Sequence, residues 1–77
     1  PNEPEALINS AAAELEVGSY ARALKVLPSL GNRPEALNNL GVATALAGDR
    51  EQARTLLEQA ASLGSAEAKH NLSELGF

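Results

Sequence analysis

One short phrase occurs twice in this chain. Pro4-Glu5-Ala6-Leu7 returns as Pro34-Glu35-Ala36-Leu37, an offset of 30 residues. The same offset carries Gly18 onto Gly48, Ala23 onto Ala53 and Leu27 onto Leu57. A second offset, of 32, carries Glu35-Ala36 onto Glu67-Ala68 and Asn39-Leu40 onto Asn71-Leu72. Recurrence on this scale marks a solenoid: each unit is too small to bury its apolar face alone and must stack on a neighbour.

The central unit shows what is stacked. Pro34 and Glu35 suit a first helical turn, where a missing N–H costs nothing and a carboxylate meets the positive end of the helix dipole. Leu37, Leu40, Gly41 and Thr44 then follow at helical spacing on one face. Glycine in a helix interior costs about 1 kcal/mol against alanine, so Gly41 implies close approach by a neighbouring helix. Gly48 ends this helix in a left-handed conformation. Asp49 is placed to cap the next, with Gln52 as a weak capping-box partner. Ala53, Leu56, Leu57, Ala60 and Leu63 make the buried stripe of that second helix. Gly64 stops it and Ser65 can cap a third. So short a turn makes the pair antiparallel.

The first unit is a shorter copy. Asn2 can cap a helix from about Pro4 to Glu16, with Glu5 at the capping-box position. Its stripe is Leu7, Ser10, Ala11 and, less well, Glu14, with Ile8 and Leu15 on a second apolar strip. Gly18-Ser19 makes the turn, with Ser19 as cap. The second helix runs from Tyr20 to about Leu27, because Pro28 cannot extend it. Pro28 to Arg33 reads as a loop. A short last helix, Ala66 to about Leu75, is expected to cover the apolar side of its predecessor, as terminal units require. Nothing plays that part at the start, so Ile8, Ala12 and Leu15 are expected to be partly exposed, or covered by an earlier unit. Whether Phe77 is an exposed end or folds back is left open.

These residues resemble the tetratricopeptide repeat. Leu37 stands at the family's first large position, Asn39-Leu40-Gly41 matches its N-L-G, and Gly48-Asp49 matches the turn. Ala53, Leu57 and Ala60 match the second-helix pattern. Thr44 and Leu57 replace usual aromatics, Ser65 stands where proline is common, and the spacings fall below the usual ~34 residues. The stretch from Gln59 to Leu72 is also similar to Sel1-type repeats, without their longer inter-helix insertion. The segment from Ala36 to Asp49 resembles repeats of bacterial pilus-assembly and envelope lipoproteins. The resemblance implies an all-α, right-handed α-α superhelix forming one domain over residues 1–77. Repeat one covers about 4–33, repeat two about 34–65, and a capping helix about 66–75.

Bulk properties narrow the function. A chain of 77 residues without cysteine and with a single histidine has no disulfide or metal staple. Its stability must come from helix packing and is expected to be on the order of 3–5 kcal/mol. The net charge of −4 argues against nucleic acid, which needs a basic face. No apolar run is long enough to span a membrane. The chain starts at Pro1 without methionine, which suggests a processed product or a piece of a longer protein, so its compartment is not legible.

Little points to catalysis. His70 has no neighbour at metal-ligand spacing. Ser10, Ser19, Ser29, Ser62, Ser65 and Ser73 have turn or cap roles or exposed positions, and none has an evident base. Gly31-Asn32-Arg33-Pro34 is too short to cradle a phosphate. No enzyme activity and no cofactor are expected.

The family resemblance implies instead a concave groove lined by the first helix of each pair. On this chain that places Glu5, Ile8, Asn9, Ala12 and Glu16 in the groove from unit one. Unit two supplies Glu35, Asn38, Asn39, Val42 and Leu46, and the last helix Glu67, His70, Asn71 and Glu74. Asn9, Asn39 and Asn71 share one repeat position. An amide there can pair with both groups of a peptide backbone, or bond within the scaffold. Members that bind chaperones clamp a C-terminal carboxylate with lysines and arginine. Here Glu5, Glu35 and Glu67 recur at one position, and these helices carry no lysine or arginine except Lys69. Those glutamates also serve as ordinary first-turn dipole partners. Arg22, Lys25, Arg50 and Arg54 fall on the second helices. His70 reads as a solvated position or as a partner contact.

The expected function is a non-catalytic interaction module that presents its groove to a neutral or basic peptide or a partner helix. The rival is a structural spacer or self-association module in a larger protein, dimerising through its uncapped first helix.

Overall fold

The computed structural model describes residues 3–77. Asn2, the expected first cap, lies outside them. The described chain is all-helical: α1 is Glu3–Glu16, α2 Ala21–Val26, α3 Pro34–Leu46, α4 Arg50–Ser62 and α5 Ala66–Glu74, with a 3₁₀ helix at Leu27–Leu30 between α2 and α3.

Local chemistry sets the helix ends. Gly48 takes φ +96° and Gly64 takes φ +100°, the left-handed region that glycine enters without a Cβ penalty. The residue after each glycine then donates its backbone N–H to a carbonyl five residues back: Asp49 to Thr44 at 2.9 Å and Ser65 to Ala60 at 3.0 Å. Ser19 closes α1 onto Glu14 at 2.9 Å in the same way. The expected caps of α4 and α5 form, Asp49 Oδ1 accepting from Gln52 N–H at 3.1 Å and Ser65 Oγ from Ala68 N–H at 3.0 Å.

Several local expectations need correction. The reciprocal half of the capping box at Asp49 is absent, because its N–H is already committed to Thr44. Ser19 does not cap α2. Tyr20 occupies that position without a side-chain bond, and α2 starts at Ala21. The segment after Pro28 is not wholly loop. Pro28 stands in the first turn of the 3₁₀ helix, where it needs no N–H partner, and Leu27 is buried.

Helix α3 touches every other element. It is therefore buried around most of its circumference, at Ala36, Leu37, Asn38, Gly41, Ala43 and Thr44, where the periodicity marked one face. Two apolar clusters flank it. Ile8, Ala11, Ala23, Leu27, Ala36 and Ala43 form the first, and Leu37, Leu56, Leu57, Ala60 and Ala68 the second. Leu40 packs against both. The close approach inferred at Gly41 is present: a Cβ there would lie 2.7 Å from Leu57 Cγ. Leu63, expected in the α4 stripe, is 50% exposed. It lies past the end of α4, beside an open hollow lined also by Asn32, Leu37, Gln59 and Ser62.

Phe77 folds back. It packs against the second cluster, and the Arg50 guanidinium lies 4.6 Å from its ring centroid. Arg50 Nη2 also donates to the Leu75 carbonyl at 3.0 Å, so α4 holds the end of the chain by charge and by dispersion.

Candidate interaction groove

Helices α1 and α5 both lie against α3 and, among the described residues, do not touch each other. Between them is a slot of about 550 Å³. Its α1 wall is Ala12, Leu15 and Glu16. Its floor is Asn38, Asn39 and Val42 of α3, and its α5 wall is Ala66, Glu67, His70 and Asn71. Of the residues expected in one groove, the slot brings together Ala12, Glu16, Asn38, Asn39, Val42, Glu67, His70 and Asn71.

The remainder are elsewhere. Glu5, Ile8, Asn9 and Glu35 line a separate hollow of about 240 Å³, in the company of Arg33. Arg33 was not expected there. Its signal was its place immediately before the repeated Pro-Glu phrase, at the N-cap of α3. Leu46 lies one turn beyond Val42, 46% exposed and outside the lining of the slot. Glu74 is exposed and also outside it.

Burial corrects two further expectations. Ile8 is only 9% exposed and belongs to the first core cluster, because α1 turns that side toward Leu27 and Ala36. Leu15 packs against the same cluster. Ala12 and Leu15 are half-buried and line the slot, in keeping with partial exposure, and Ile8 alone of that strip is buried. Asn38 is 6% exposed, so its amide is a core group rather than a free groove contact.

A relay of amides explains how that polar group is accommodated. Asn71 Nδ2 donates to Asn38 Oδ1 at 2.9 Å, Asn38 Nδ2 to Asn39 Oδ1 at 3.4 Å, and Asn39 Nδ2 to the Ile8 carbonyl at 3.4 Å. The first is a strong bond and the others are long. Together they tie α5 to α3 and α3 to α1. Asn39 and Asn71 are thereby engaged within the scaffold, whereas Asn9 is exposed.

Charge is segregated. The slot is lined by carboxylates at Glu16 and Glu67 and by no lysine or arginine. Arg22 of α2 and Arg50 and Arg54 of α4 are engaged away from it. Arg22 Nη1 reaches Glu14 Oε2 at 3.0 Å and Ser10 Oγ at 3.3 Å, while Glu14 Oε1 is buried without a partner. Arg54 pairs with Glu58 at 3.1 Å. Among the described residues, no three histidine, aspartate or glutamate side chains converge as metal ligands, and no helix is long and apolar enough to cross a membrane. Comparison with family models, with characterised proteins and with solved structures finds no match to this chain.

Proposed function

We propose that this chain is a non-catalytic protein-interaction module of the tetratricopeptide type. Its two helix-turn-helix units cover about 4–33 and 34–65, with a capping helix over about 66–75, in a right-handed superhelix. The slot between α1 and α5 seats a protein segment of neutral or basic character. The observation that carries this reading is the lining of the slot: apolar side chains at Ala12, Leu15 and Val42 beside the asparagine amides, with a carboxylate on each wall and no lysine or arginine. Such a lining repels a ligand that ends in a carboxylate and favours one bearing lysine or arginine. Calorimetric titration with neutral, basic and acidic peptides tests it. Basic peptides are expected to bind best and to weaken with salt, since exposed charges are screened over ~10 Å at 0.1 M. Preference for acidic peptides would end this reading.

A second reading is self-association. The outer side of α1 carries exposed Ala6 and half-buried Leu7 around a hollow of about 340 Å³ shared with Glu3, Ser10 and Arg22. That side would serve a structural spacer or oligomerisation module of a larger protein, including one of an envelope or pilus-assembly system. A concentration-dependent mass that Leu7→Asp abolishes supports it.

A further inference from the structure

We infer that the occupant of the slot is an amphipathic helix with a narrow aliphatic stripe flanked on both sides by lysine or arginine, rather than an extended peptide. The inference rests on the proposed interaction function and names the chemistry of its partner.

Backbone hydrogen bonding comes first. An extended segment brings unpaired N–H and C=O groups, and burying them without partners is costly. The groups in the slot best suited to receive them are the asparagine amides. Asn71, Asn38 and Asn39 each commit one amide N–H to one another or to the Ile8 carbonyl, so a ligand backbone must share these amides with the scaffold. A helix pairs its own backbone internally and offers only side chains.

Shape and charge follow. Helices α1 and α5 stand on either side of α3 without touching, which leaves a furrow between two helices, the geometry that accepts the ridge of another. Ala12 and Leu15 on the α1 wall and Val42 on the floor give the furrow an apolar strip beside its asparagine amides. An aliphatic stripe at helical spacing matches that strip. Glu16 on one wall and Glu67 on the other then place negative charge along both edges. Glu16 is also the last residue of α1, where the helix dipole adds negative potential.

The test uses two peptides of one composition. The first carries leucines at i, i+3, i+4 and i+7 with lysines beside them, over about 14 residues. In the second the same residues are reordered so that leucines and lysines alternate. Binding is read by fluorescence anisotropy up to about 1 mM. The helical peptide is expected to bind at least about tenfold more tightly and to gain helical circular dichroism on binding. Val42→Gln, which makes the floor polar without changing charge, and the double variant Glu16→Gln/Glu67→Gln are each expected to weaken it by about tenfold. Equal binding of both peptides would overturn the helical occupant and leave the interaction slot standing. Binding unaffected by Val42→Gln would overturn the assignment to this slot. No binding of either peptide would overturn both. Circular dichroism of each variant verifies that it is folded.

Discussion

Asn71 of α5 donates its side-chain amide to Asn38 of α3 at 2.9 Å, across 33 residues of sequence. The acceptor is buried and the donor half-buried. This bond joins the last helix to the central one by a polar contact inside an otherwise leucine and alanine interface. Its worth lies less in the bond itself than in the cost of leaving a buried carbonyl oxygen unpaired.

Asn71→Ala is therefore expected to cost about 1–3 kcal/mol in urea unfolding. Asn9→Ala, at the equivalent repeat position but exposed, is expected to stay within about 0.5 kcal/mol of the parent. Equal losses would mean that the asparagines contribute through something other than the relay.

The contact at Gly41 sets two effects against each other. Alanine gains about 1 kcal/mol of helix propensity over glycine. Its Cβ, however, would lie 2.7 Å from Leu57 Cγ and 2.8 Å from Leu57 Cδ2, and Leu57 is fully buried. Overpacking of this kind costs about 1–3 kcal/mol, so Gly41→Ala is expected to lower the denaturation midpoint on balance. In a Leu57→Ala background the same change is expected to become neutral or stabilising. A Gly41→Ala protein more stable than the parent would show that Leu57 can move aside.

The caps supply a direct comparison. Asp49→Ala and Ser65→Ala each remove a side-chain acceptor from a helix N-terminus and are expected to cost about 1 kcal/mol. Ser19→Ala removes none, since Tyr20 holds the cap position of α2. Its thermal midpoint is expected to match that of the parent. A loss at Ser19 as large as at Asp49 would contradict this assignment of the α2 cap.

Arg50 and Phe77 are expected to couple. With the guanidinium 4.6 Å from the ring centroid, a double-mutant cycle of Arg50→Ala and Phe77→Ala should return about 0.5–1 kcal/mol of interaction. Additive losses would show that Phe77 contributes by apolar contact with the second cluster alone.

These predictions divide along the range over which each contact acts. Helix stops at Gly48 and Gly64, caps at Asp49 and Ser65, and the small residue at Gly41 were legible because each acts within a turn of its own position or marks a required absence of volume. So was the helix-pair order, carried by the repeated Pro-Glu-Ala-Leu. Periodicity could not show that α3 is enclosed on most sides, since a stripe identifies a face and not the number of neighbours. The groove was legible only in part. Repeat positions put Ala12, Val42 and Glu67 together and all three line the slot, but Ile8 fell into the core, Leu46 overshot the slot, and Arg33 joined Glu5 and Glu35 in a separate hollow. The asparagine relay depends on partners 31 and 33 residues apart, so it exists only once three helices have docked. Local chemistry along the chain determines where its helices begin and end. Docking determines which side chains face inward, because burial depends on neighbours that sequence distance does not specify.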